Sequence, residues 1–110
     1  MKVPNYEQAI VMTGKLTRYL LNFDHPKGRS KAKFFKNHGY DISNAGTLQV
    51  ALKNILAEND IFEILETPYG FNYSVLGVLD SRTSKNILIK TVWSISFDGQ
   101  IPYFVTAYPF

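Results

Sequence analysis

The sequence has no cysteine, so it can build neither a disulfide framework nor a thiolate metal site. It has only two histidines, His25 and His38, and they stand in neither H-x-x-x-H nor H-x-x-E-H spacing, which removes the usual transition-metal arrangements. The nine carboxylates are scattered rather than clustered as a two-metal nuclease requires. No apolar run approaches the ~20 residues of a membrane span. The start, MKVPNYEQAIVMTGK, lacks the apolar stretch of a signal peptide. Neither a G-x-S-x-G elbow nor a phosphate-cradling glycine loop is present. What survives these exclusions is metal-free chemistry with no cofactor, away from the membrane. The cytoplasm is the expected compartment, although a toxin domain cut from a larger secreted protein would have the same composition.

What is there is enough for one core. At 110 residues, with 45% hydrophobic and 15% aromatic side chains, the chain reads as a single domain over residues 1–110. A domain of this length buries roughly 65% of its unfolded surface. Thr13 is a candidate cap for a helix to about Asn22, with Leu16, Tyr19 and Leu20 on one face. Asp24 to Gly28 reads as a turn. Ser30 is a candidate cap for a second helix ending near His38, with Gly39 in the left-handed position beyond it. A third helix, about 44–58, carries Leu48, Leu52, Ile55 and Leu56 as its buried stripe.

From Asp60 the period changes to two. IFEILET, FNYSVLGVL, NILIKTVWSISF and PYFVTAY are β-branched or aromatic-rich, and they are separated by Pro68-Tyr69-Gly70, the polar loop from Asp80 to Lys85, and Asp98-Gly99. The prediction is an α+β fold: a helical part at about 13–58 packed on one face of a four-stranded antiparallel meander at about 60–109. Alternation in the third strand puts Ile87, Ile89, Thr91, Trp93 and Ile95 on the core side. The open face is then expected to show Asn72, Ser74, Lys90, Ser94, Thr106, Tyr108 and, among them, Phe104. Hydroxyls, a cation and ring faces of this kind suit nucleotides, and they equally describe an ordinary half-solvated sheet.

The net charge is only +3, but residues 15–38 hold seven cations against Asp24 alone, 7 − 1 = +6, while residues 39–110 hold four cations against seven carboxylates, 4 − 7 = −3. Such polarity raises the local concentration of an anionic partner such as nucleic acid, or else marks a solvated basic helix. On a helical wheel with Lys31 at zero, Phe35 falls at about 40°, Phe34 at about 300° and His38 at about 340°. Lys31 therefore emerges from the apolar side and either snorkels idly or delivers its ammonium to a site. His25 sits beside Lys27, Arg29 and Lys31, which favour its neutral form and suit proton transfer with a 2′-hydroxyl; an idle loop histidine looks the same. His38, near a helix C-terminus, is accounted for by the helix dipole.

YLLNFDHPKGRSKAKFF, ETPYGFNYSV, KTVWSI and VTAYP, in this order, resemble a family of small bacterial domains of unknown function that occur alone or at the ends of polymorphic toxins. The layout is also similar to the barnase, EndoU, colicin and RelE-like (BECR) superfamily of metal-independent endoribonucleases. That resemblance implies an RNA-cleaving toxin of a toxin-antitoxin or polymorphic system, acting by 2′-hydroxyl attack on the adjacent phosphate. It implies His25 as acid or base, Lys31 as the phosphorane stabiliser, and Thr91, Thr106 and Tyr108 as phosphate-positioning or proton-transfer groups. Lys27, Arg29, Lys33, Lys90 and Phe104 would bind the RNA. A cognate antitoxin or immunity protein, neutral to acidic, would cover the basic turn. The alternatives are a non-catalytic protein- or RNA-binding module, and an immunity or scaffold protein with a basic surface.

Overall fold

Four strands account for the C-terminal half of the computed structural model, which describes residues 1–81, 83 and 85–110. They are β1 (Ile61–Thr67), β2 (Gly70–Leu79), β3 (Ile87–Ser96) and β4 (Tyr103–Pro109), joined in sequence order as an antiparallel meander. Of the polar loop expected from Asp80 to Lys85, Arg82 and Ser84 lie outside the described residues. Three helices pack against this sheet: α1 (Thr13–Lys15), continued by a π-helical turn over Leu16–Leu20, α2 (Arg29–Asn37) and α3 (Ala45–Glu58). The α+β architecture expected from the change of period is the one observed.

The longest helix, α3, buries Leu48, Leu52, Ile55 and Leu56 against β2 and β3. Full burial of each such side chain contributes about 1.5–3 kcal/mol, so this stripe anchors the helical layer. The 3-10 turn that leads into it, Ile42–Asn44, is capped reciprocally: the Asp41 carboxylate accepts from the Ser43 amide at 2.8 Å, and the Asn44 side-chain oxygen accepts from the Asp41 amide at 2.8 Å. Gly39, just past α2, has φ 90°, the left-handed geometry expected of the residue there. On the sheet, Ile89, Thr91, Trp93 and Ile95 are buried while Leu88 and Ser96 are exposed, as alternation requires. On the open face Leu76, Val78, Leu88 and Val92 stand among the hydroxyls, and Ser74, expected to show there, is buried.

Two features bring the helices to the β4 edge. Ile10 pairs in parallel with Tyr103, donating to the Pro102 carbonyl and accepting from the Phe104 amide, each at 2.9 Å. The chain therefore leaves the outer edge of β4 directly into α1. The π turn then closes with the Leu21 amide on the Leu16 carbonyl at 2.8 Å. Leu16, Leu20 and Leu21 all face the core, and Tyr19 is left half-buried towards β4.

Candidate functional site at the edge of the last strand

The turn between α1 and α2 is held by an imidazole. Nδ1 of His25 accepts from the amides of Lys27 at 3.0 Å and Gly28 at 3.1 Å. This, rather than Ser30, organises the start of α2, which begins at Arg29 with no side-chain cap. With its one lone pair turned inward, neutral His25 carries its proton on Nε2 and presents a donor, not a base. The ring stands edge-on to Tyr19, centroids 5.1 Å apart. Gly28 completes the turn by packing closely on the π turn: a Cβ there would lie 2.2 Å from the Tyr19 carbonyl oxygen. His25 and Gly28 thus lock the turn onto the residue at the centre of the cluster.

That residue is Tyr19. Its hydroxyl shares a hydrogen bond with Thr106 Oγ1 at 3.2 Å. The Lys31 ammonium lies 5.6 Å from its ring centroid and 6.0 Å from that of Tyr108, and the Lys15 ammonium lies 5.5 Å away. Burial pushes the Tyr19 phenol up, but hydrogen bonds from Thr106 and Lys31 and the charges of Lys31 and Lys15 outweigh it and leave the pKa below the ordinary 10.0. In an alkaline titration followed by phenolate absorbance, one tyrosine is expected to ionise ahead of the others. The early component should vanish in Tyr19→Phe and move up in Lys31→Ala.

His25, Lys31, Thr106 and Tyr108 therefore come together around Tyr19, which the helical pattern had marked only as a core aromatic. Lys27 and Lys33 are exposed, Lys33 on the side of α2 turned away from Lys31, and the Arg29 Nε is tied to the Phe23 carbonyl at 3.0 Å. Lys90 is 17% exposed and paired with Glu63 at 3.2 Å. Its pKa is raised, first by the hydrogen bond to Glu63, so part of its charge is already answered within the sheet.

The register of β4 corrects the expected place of Phe104, while Thr91 lies on the core side as alternation predicts, which corrects the phosphate-positioning role the resemblance gave it. Trp93 pairs with Phe104 and Val92 with Thr106, so Val105 is an extra residue, and Phe104 falls on the core side. It is 4% exposed and edge-on to Trp93, centroids 5.4 Å apart, and has no open face to offer a base. Thr91 is 0% exposed; its hydroxyl donates to the Val75 carbonyl at 2.8 Å and accepts from Trp93 Nε1 at 2.9 Å. Because the bulge lies between Thr91 and the start of β4, Thr91 and Thr106 stay on opposite faces. Thr91→Val strands the Trp93 N–H and is expected to cost about 1–3 kcal/mol in chemical denaturation. Thr106→Val should leave stability nearly unchanged and alter the Tyr19 titration instead.

A shallow cavity of about 410 Å³ adjoins the cluster, lined by Ser30, Lys31, Phe34, Tyr108 and Pro109. A larger cavity, about 520 Å³, lies between α3 and β2, but its ionisable side chains are Tyr40, Glu58 and Asp80. Among the described residues its lining has two carboxylates and no cation, the wrong sign for a phosphate, so electrostatics favours the smaller site.

Fold and cluster together define a small α+β domain with a cationic, tyrosine-rich site where two helical segments meet an edge strand. The chain belongs to the family described as Domain of unknown function (DUF6883), whose profile matches residues 2–110. Among solved structures it is similar to a chain of the "Contact-dependent growth inhibition toxin - immunity protein complex from Klebsiella pneumoniae 342". The TM-score is 0.70 and the identity 16%, with 92% of this chain and 99% of that chain covered. At that identity the likeness is one of fold. No curated protein matches the chain.

Proposed function

We propose that this chain is a metal-independent endoribonuclease of the toxin type, cutting RNA by attack of a 2′-hydroxyl on the adjacent phosphate. The observation that carries this reading is the position of the Lys31 ammonium between the Tyr19 and Tyr108 rings, at the edge where Thr106 holds the Tyr19 hydroxyl. In the reaction the 2′-oxygen bonds to phosphorus and the bond to the 5′-oxygen breaks. Lys31 faces the charge that builds on the non-bridging oxygens, where one preorganised donor contributes about 3 kcal/mol. Tyr19 is more acidic than an ordinary phenol, so it is assigned to protonate the departing 5′-oxygen. His25 donates through Nε2 to a phosphate oxygen, and the 2′ proton leaves to water, since the imidazole lone pair is engaged in the turn. Tyr108 and Thr106 orient phosphate and phenol. Lys27, Arg29 and Lys33 supply salt-sensitive RNA affinity.

An acid with a lowered pKa sets the pH dependence. Tyr19 must carry its proton to act, so cleavage is expected to decline as pH rises through a value below 10.0. A similarity to a toxin–immunity complex also motivates the partner: an inhibitor of neutral to acidic surface that covers the basic turn. The same likeness supports a second reading, in which this chain is itself an inhibitor. Expression alone in a growing bacterial culture separates the two. Growth arrest with loss of cellular RNA supports the nuclease, whereas normal growth and protection against a co-expressed toxin supports the inhibitor.

A further inference from the structure

The cavity beside Lys31 has the makings of a nucleobase subsite. Phe34 and Tyr108 supply aromatic walls, Pro109 adds an apolar surface, and the Ser30 hydroxyl and Lys31 ammonium are the polar groups on its lining. Phe34 is itself braced, edge-on to Phe35 at 5.0 Å and tilted against His38 at 4.9 Å between centroids. A braced ring loses little freedom when a flat ligand stacks on it.

We propose that this cleft takes one unpaired nucleobase of a single-stranded RNA, stacked on Phe34 and Tyr108, with its phosphate at Lys31. This rests on the ribonuclease reading for the identity of the polymer, but the subsite itself follows from the cavity. Charge complementarity selects the occupant: the same cavity joins ring faces to an ammonium at the edge of the basic segment, which matches an aromatic base linked to an anion. A base inside a duplex has no free face to stack, so the substrate is unpaired at this nucleotide. Ser30 can hydrogen-bond a base edge, which would give the site a preference among bases.

The test needs no cleavage. Binding of a short single-stranded oligonucleotide with 2′-deoxy sugars is compared with that of the same strand made abasic at one nucleotide, moved along the strand in turn. At one position the missing base is expected to weaken binding by about tenfold, the scale of a single stacking contact. Phe34→Leu should erase that difference, and Phe34→Tyr, which keeps the ring, should retain it. Equal affinity for intact and abasic strands at every position would overturn the subsite, as would a difference that survives Phe34→Leu. If wild-type protein cleaves no RNA yet shows the base-dependent binding, the catalytic reading fails and the subsite stands. If it cleaves RNA but binds intact and abasic strands alike, the subsite fails and the catalytic reading stands.

Discussion

Lys31→Ala is expected to lower RNA cleavage by about a thousandfold and to abolish toxicity, while leaving the far-ultraviolet circular dichroism and the thermal transition close to wild type. The scale follows from removing one preorganised donor from a developing negative charge, which costs about 10²–10³ in rate, together with some loss of phosphate affinity. Stability should change little because the side chain is only half-buried and, among the described residues, its charge is in no ion pair with a carboxylate. Two rings, Tyr19 and Tyr108, lose a cation at 5.6 and 6.0 Å, near the outer limit of such contacts, so at this partly exposed site the two together contribute at most about 0.5–1 kcal/mol. Lys31→Arg keeps the charge but replaces a compact ammonium with a wider planar fork, and should recover only part of the rate.

Gly28→Ala is expected to be nearly as damaging, by a different route. The added methyl would meet the Tyr19 carbonyl oxygen at 2.2 Å, and that oxygen is main chain, so it cannot rotate aside. The loop must lift from the Leu16–Leu20 turn, and with it go the two amide contacts to His25 Nδ1 and the edge-on packing of His25 on Tyr19. Overpacking of this kind costs about 1–3 kcal/mol, seen as a lowered thermal midpoint. A displacement near 1 Å in a catalytic constellation costs about 10²-fold in rate. The substitution should therefore reduce both the melting temperature and cleavage, in contrast to Lys31→Ala, which reduces cleavage alone.

The elements of this fold were legible where a single period runs unbroken. The stripe Leu48, Leu52, Ile55 and Leu56 repeats at helical spacing, and the third strand alternates without interruption from Ile87 to Ser96, so both were placed correctly from the residues. Gly39 marked the end of α2 because few other residues adopt φ 90°. The site was harder to read for three local reasons. A π turn over Leu16–Leu20 breaks the 3.6-residue wheel, which had grouped Tyr19 with the core leucines and so hidden its hydroxyl. The extra residue Val105 carries no glycine or proline to announce a bulge, and one uncounted residue moves Phe104 from the open face into the core. The start of α2 is organised by an imidazole accepting two amides, a role that capping patterns reserve for Ser, Thr, Asp and Asn. Lys90 illustrates a fourth limit, since its partner Glu63 comes from β1, two strands away in the sheet, and no local pattern couples them.

The most direct test of the account is incubation of the purified chain with RNA in the presence of EDTA, followed by chemical analysis of the new ends. The account predicts cleavage that EDTA does not suppress, products ending in a 2′,3′-cyclic phosphate, and complete protection of a substrate carrying a 2′-deoxy sugar at the cut. Intact RNA under these conditions would contradict it, as would cleavage that persists on the 2′-deoxy substrate.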